Sequence, residues 1–271
     1  MKAIILNVSL ILLLILNACA PKIYYQLHEV ALPEKTTLIN GSCVYEDHNC
    51  QIFYNLWAEN GDIGFRFYNK TNENIYLNME ESFYIFNDMA SDYYKERTYT
   101  SSSSTGSTLQ QGINTAYSIL PNQYSPSKST AVMASNSFSV SFNEEKVICI
   151  PSRTSKSIRE YVITHNIFRD CGLFLYPESK TQYKTLSFNE NTSPITFGNR
   201  ITYSVGKNGP LVVVNNHFFV KNISNYPERN FVSSKLEEFC DQKISFSGKY
   251  YEFAGPDKFY IRYVKTDNWK H

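Results

Sequence analysis

Apolar and polar residues alternate in short runs along this chain, and each run is closed by Asn, Gly, Pro or Ser. An alternation of period two puts one set of side chains on each face of a strand, so the pattern commits the chain to sheets rather than helices. In the run 51–57, Ile52, Tyr54 and Leu56 share a face, and Ile63, Phe65 and Phe67 repeat the pattern after the turn Glu59-Asn60-Gly61-Asp62. Asn-Gly between two such runs is a strong hairpin signal. Further strands are expected at 75–78, 82–86, 138–142, 147–150, 157–164, 200–205, 211–220, 243–247, 249–253 and 258–264. The 21 Tyr and 18 Phe suit half-buried pleated surfaces. Only 231–240, with serines at its start and Glu237 and Glu238 following, is expected to be helical. About a dozen short strands at regular spacing predict an all-β fold. The expected form is an immunoglobulin-like β-sandwich or a related two-sheet architecture, with a long Ser-rich insertion and at most one or two short helices.

That insertion interrupts the alternation. From Tyr99 to Asn143 the only charged residue is Lys128, and the stretch opens on four serines, Ser101 to Ser104. Such a composition buries little, so 99–136 is expected to form a low-complexity loop between two parts of one β-rich domain, 37–98 and 137–271. Inside it Leu109, Ile113, Ala116 and Leu120 fall on one helical face, which predicts a short amphipathic helix at 109–120.

The N-terminus sets the compartment. Lys2 is followed by an apolar run, Ala3 to Leu16, too short to span a bilayer and shaped like the core of a signal peptide. Leu16-Asn17-Ala18-Cys19 resembles a bacterial lipobox. That resemblance implies cleavage after Ala18 and lipidation of Cys19, which leaves 19–36 as a lipid-anchored N-terminal segment. The expected location is the bacterial cell envelope, as an outer-membrane lipoprotein. In the Bacteroides-type lipoproteins that this start resembles, acidic residues just past the cysteine often signal surface export; no acidic run follows Cys19, so the resemblance implies a periplasm-facing protein over a surface-exposed one.

Without residues 1–18 the chain keeps 25 basic and 25 acidic side chains. No basic field is available to hold a phosphate backbone, so nucleic acid is not an expected partner. Attachment falls to the acyl chains, each buried methylene contributing about 0.8 kcal/mol. The expected partners are the membrane, through that lipid, and other envelope proteins or a glycan.

Beyond Cys19 lie Cys43, Cys50, Cys149, Cys171 and Cys240. An oxidising compartment permits disulfides, and Cys43 with Cys50, flanking a short polar stretch, is the expected pair. A metal set of Cys43, His48 and Cys50 lacks a second half at zinc-site spacing, so no metal and no cofactor are expected. The catalytic inventory is thin. No Gly-x-Ser-x-Gly, His-Glu-x-x-His or Gly-x-Gly-x-x-Gly occurs, and Ser204 to Pro210 is a hairpin turn rather than a phosphate loop. His165 and Cys171 could form a base and nucleophile only if folding brought them within hydrogen-bond reach. The doublets Glu80-Glu81, Glu144-Glu145 and Glu237-Glu238 point to opposite faces in a strand, so none supplies a paired acid by itself. The chain is therefore not expected to be an enzyme. Trp57 and Trp269 are the aromatic side chains best placed to stack on sugar rings in a glycan-binding alternative.

Several segments together resemble uncharacterised lipoproteins of Bacteroides and its relatives. They are the lipobox, "FRFYNKTNENIYLNMEESFYIFND" from Phe65 to Asp88, "IPSRTSKSIREYVI" from Ile150 to Ile163, and "FFVKNISNYPE" from Phe218 to Glu228. The resemblance implies a compartment and a β-rich fold, and carries no activity.

Overall fold

The computed structural model describes residues 22–105, 136–240 and 242–265. In chain order, β1 (Ile23–Ala31) is followed by a meander of β2 (Thr36–Ile39), β3 (Ser42–Glu46), β4 (Cys50–Tyr54) and β5 (Phe65–Asn69). Next come β6 (Ile75–Phe86), β7 (Met89–Asp92), β8 (Thr98–Thr105) and β9 (Asn136–Asn143), then β10 (Val147–Ile150), β11 (Ser155–Ile158) and β12 (Thr185–Ser187). The chain finishes with β13 (Thr196–Val205), β14 (Leu211–Pro227), the single turn α1 (Glu228–Phe231), β15 (Val232–Phe239), β16 (Gln242–Tyr251) and β17 (Lys258–Val264). The fold is all-β with two main sheets, as the alternation predicts.

The larger sheet runs β10-β6-β13-β14-β1-β17, with β7 added to β6 and β12 to β14. The smaller runs β11-β5-β4-β3-β2. All of these pairings are antiparallel. β14 is long enough to pair with β13 from Leu211 to Phe219 and with β1 from Phe219 to Pro227. Its two halves thus join both wings of the large sheet.

The alternating faces meet between the sheets. Tyr54 of the small sheet packs edge-on against Phe218 at 5.2 Å, and Phe67 against Tyr203 at 5.4 Å. Burying each such side chain contributes about 1.5–3 kcal/mol. Two polar pairs cross this layer: Asn216 Nδ2 donates to Tyr54 Oη at 2.7 Å, and Tyr93 Oη donates to Asn199 Oδ1 at 2.7 Å. Buried Asn69 ties the turn after β5, where its Nδ2 donates to the Glu73 carbonyl (2.7 Å) and the Ile150 carbonyl (3.1 Å). Its Oδ1 accepts from Thr71 N and Oγ1, both at 2.8 Å.

The Asn60-Gly61 signal is real but sits in a longer connection. Both residues have positive φ (68° and 75°), the conformation that this pair tolerates. The connection from Asn55 to Gly64 leaves the small sheet and docks on β17, where Asn60 N donates to Tyr260 O at 2.7 Å.

Two expectations need correction. The helix expected at 231–240 is reduced to the turn α1, and Val232 onward is strand, paired with β16. Phe231 is fully buried against Tyr25 at 4.5 Å, and that contact turns the chain out into a hairpin. Within the segment 19–36, Ile23–Ala31 lies inside the large sheet between β14 and β17. Ser101 to Ser104, expected in a loop, belong to β8. Residues 94–145 form a separate compact unit in which β8 pairs with β9. Within it the carboxylate of Glu144 clamps the start of β8, accepting from the backbone N of Lys95 (2.9 Å) and of Arg97 (3.1 Å) and from the Arg97 guanidinium. The helix expected at 109–120 lies outside the described residues.

Candidate functional site

A cavity with a charged rim lies where β1 begins. Tyr24 pairs with Pro227, so the first residues of β1 and the end of β14 meet, and Pro177-Glu178 closes the third side. The cleft has a volume of about 380 Å3 and is lined by Lys22, Tyr24, Glu178, Glu228 and Arg229 among others. Lys22 Nζ sits 3.3 Å and Lys265 Nζ 3.8 Å from Glu178 Oε1. Arg229 Nη2 donates to the Glu178 carbonyl at 2.6 Å. Hydrogen bonding from Lys22, then the charges of Lys22 and Lys265, hold the Glu178 carboxyl below its ordinary range. Tyr24 packs on Tyr176 at 5.2 Å and on Tyr263 at 5.8 Å, and Tyr263 Oη donates to the Leu175 carbonyl at 2.5 Å. The site therefore combines exposed ammonium and guanidinium groups with two carboxylates above the buried Tyr24.

A second groove of about 170 Å3 lies on the small sheet. Its charges are engaged as those of the first cleft are: Arg66 stacks over Phe53 at 3.9 Å, and Arg159 Nε is 3.6 Å from Asp62 Oδ2. A side chain at Gly64 would bring its Cβ within 2.6 Å of Arg159 Cγ, so the glycine is required for this close approach.

Cys19 and Trp269 lie outside the described residues. Trp57 is half-buried, in a cluster on the opposite face of β1 from Tyr24. It packs on Tyr260 at 5.1 Å, on Tyr251 at 5.7 Å and on Phe231 at 6.2 Å, so its ring helps seat the β15–β16 hairpin.

Cys43 and Cys50 are both buried free thiols, not the expected disulfide. The register pairs Cys43 with Tyr54 and Glu46 with Gln51, which places Cys50 four rungs from Cys43. At about 3.3 Å per residue that separation is roughly 13 Å, twice what a disulfide spans. Asp47 closes this hairpin instead, accepting from Asn49 N at 2.8 Å and Cys50 N at 2.7 Å. The Cys43 thiol donates to the Pro256 carbonyl at 3.3 Å, and burial pushes its pKa up to about 12. His48 is exposed at the hairpin tip, away from both thiols.

His165 and Cys171 are both exposed, and among the described residues no hydrogen bond joins them. Asp170 between them is held in a turn, its Oδ1 accepting from Gly172 N at 2.7 Å. His217 faces Glu190 at 3.5 Å on the surface. Glu80 pairs with Lys146 at 2.7 Å, and Glu144 with Arg97. Among the described residues no cluster of three or more His, Cys, Asp or Glu could hold a metal ion, and no helix is long and apolar enough to cross a membrane.

Two buried polar residues of β1 give no sign of themselves in sequence. Gln26 acts as a strand partner for Phe168, donating to its carbonyl at 2.9 Å and accepting from its N at 2.7 Å. This pairing pins the 159–184 segment to the sheet. His28 is fully buried, and neither ring nitrogen has a hydrogen-bond partner among the described residues.

No family model, curated protein or solved structure matches this chain.

Proposed function

We propose that this chain is a lipid-anchored β-sandwich module of the bacterial cell envelope that works by binding other envelope components, and that it is akin to the lipoproteins of Bacteroides and its relatives. The observation that carries the reading is the position of Cys19. The lipobox-like Leu16-Asn17-Ala18-Cys19 stands immediately before β1, so acylation would fix the sandwich at the membrane by one of its central strands. Binding is favoured over catalysis by the placement of the polar candidates, since Glu80 and Glu144 are engaged in ion pairs and His165 and Cys171 stand exposed without joining. A periplasm-facing orientation is favoured over a surface one by the lack of an acidic run just past Cys19.

Two experiments test this. Cys19→Ala should accumulate as a precursor of higher mass, and processing of the wild-type chain should stop when lipoprotein signal peptidase is inhibited. An epitope placed in the 99–136 segment should resist protease in intact cells and be cleaved after permeabilisation. Normal processing of Cys19→Ala would refute the anchor, and cleavage in intact cells would put the module on the surface, favouring glycan capture.

A further inference from the structure

The cleft formed by Lys22, Tyr24, Glu178, Glu228 and Arg229 is built close to the anchor point. Lys22 follows Cys19 by three residues, so their Cα atoms can be separated by at most about 11 Å. With acyl chains in the hydrocarbon, Cys19 sits at the interface, and the headgroup layer extends roughly 5–8 Å beyond the core on each side. The rim of the cleft is thereby confined to that layer or to its edge.

Its chemistry suits that position. Beneath the charged rim the buried Tyr24, packed on Tyr176 and Tyr263, gives the cleft a fixed floor. Lys22, whose side chain is 67 % exposed, and Arg229 present N–H donors suited to a phosphate, and Lys265 adds a third cation. A site for a simple anion would not also carry two carboxylates. Glu178 and Glu228 complete a set that matches a ligand bearing both signs. We infer that this cleft takes the phosphoethanolamine headgroup of a phospholipid in the bilayer that holds the anchor, with phosphate on Lys22 and Arg229 and the ammonium group on Glu178 or Glu228. The inference rests on the anchored reading proposed above, because that reading brings the cleft to the headgroups.

The test uses the full chain, purified in a nonionic detergent and titrated with dihexanoyl phosphatidylethanolamine while native mass spectrometry counts bound lipid. Parallel titrations use dihexanoyl phosphatidylglycerol and inorganic phosphate. Saturable binding of one phosphatidylethanolamine is expected, weakened at least tenfold in Lys22→Glu and in Lys22→Glu/Arg229→Glu. Glu178→Gln/Glu228→Gln should lose the preference over phosphatidylglycerol. The exposed Lys22→Glu single variant keeps the test valid if the double variant folds poorly. Undiminished binding in Lys22→Glu, or inorganic phosphate binding as tightly as the lipid, overturns the site. The N-terminal peptide of the same preparation reports acylation independently: an acylated chain that fails to bind defeats the headgroup site alone, and a binding chain without acyl groups defeats the anchor alone.

Discussion

His28 lies flat on Phe259, their ring centroids 4.4 Å apart and their planes parallel. The imidazole is sealed in the large sheet, and burial pushes its pKa from 6.5 down to about 3. A folded-state pKa below the unfolded one means that the unfolded chain takes up the proton first, so stability falls as pH drops from 6.5 towards 3. At pH 4.5 the loss from this one group is about 3 kcal/mol. Urea midpoints at pH 7 and 4.5 should therefore separate more widely for the wild type than for His28→Phe, which keeps the stacking without the titration. Equal separations would show that His28 is not held neutral.

Phe231 is the buried centre of the cluster that receives Tyr25, Trp57, Tyr251 and Tyr260. Phe231→Ala should cost about 3–5 kcal/mol by denaturant titration, because the surrounding rings cannot all collapse into the space. Trp57 fluorescence should shift to longer wavelength as its packing is lost. An unshifted spectrum with an unchanged midpoint would contradict the role assigned to this cluster.

How much of this was legible in the sequence depends on whether a strand has one wet face. A run with one exposed face announced itself: in 211–220, the first part of β14, burial alternates residue by residue. β1 did not, because Tyr24, Tyr25, Gln26, Leu27 and His28 are all buried, so both faces are covered and no alternation remains. The 231–240 error has a different origin. Local serines and glutamates suggested a capped helix, whereas pairing with β16 and the seating of Phe231 decide the conformation. Of the cleft, the sequence revealed only the nearness of Lys22 to Cys19. Glu178 and Arg229 reach it through long-range pairing of β1 with β14, which no local pattern encodes.

The thiols give a direct check on register. In the native protein an alkylating reagent should label exposed Cys171 and Cys240 and leave Cys43 and Cys50 untouched until denaturant is added. Burial that raises the Cys43 and Cys50 pKa values lowers their thiolate fraction as well as their access. A Cys43–Cys50 crosslinked peptide would contradict the four-rung separation.

Glu144 governs the β8–β9 hairpin. Hydrogen bonding from the Arg97 side chain leads the effects that hold its carboxyl down to about 2. A depressed carboxyl stabilises above its unfolded value near 4.5 and loses that contribution as pH falls towards 2. Glu144→Gln should speed amide exchange in 98–105 while leaving β13 and β14 unchanged, because the hairpin belongs to a separate unit. Exchange that accelerates equally throughout would make the clamp a global element.

The anchor is tested most directly by the mass of the N-terminal peptide of the protein taken from its own membranes. The account predicts a peptide beginning at Cys19 and carrying acyl chains. A peptide beginning elsewhere, or at Cys19 with an unmodified thiol and amine, would contradict it.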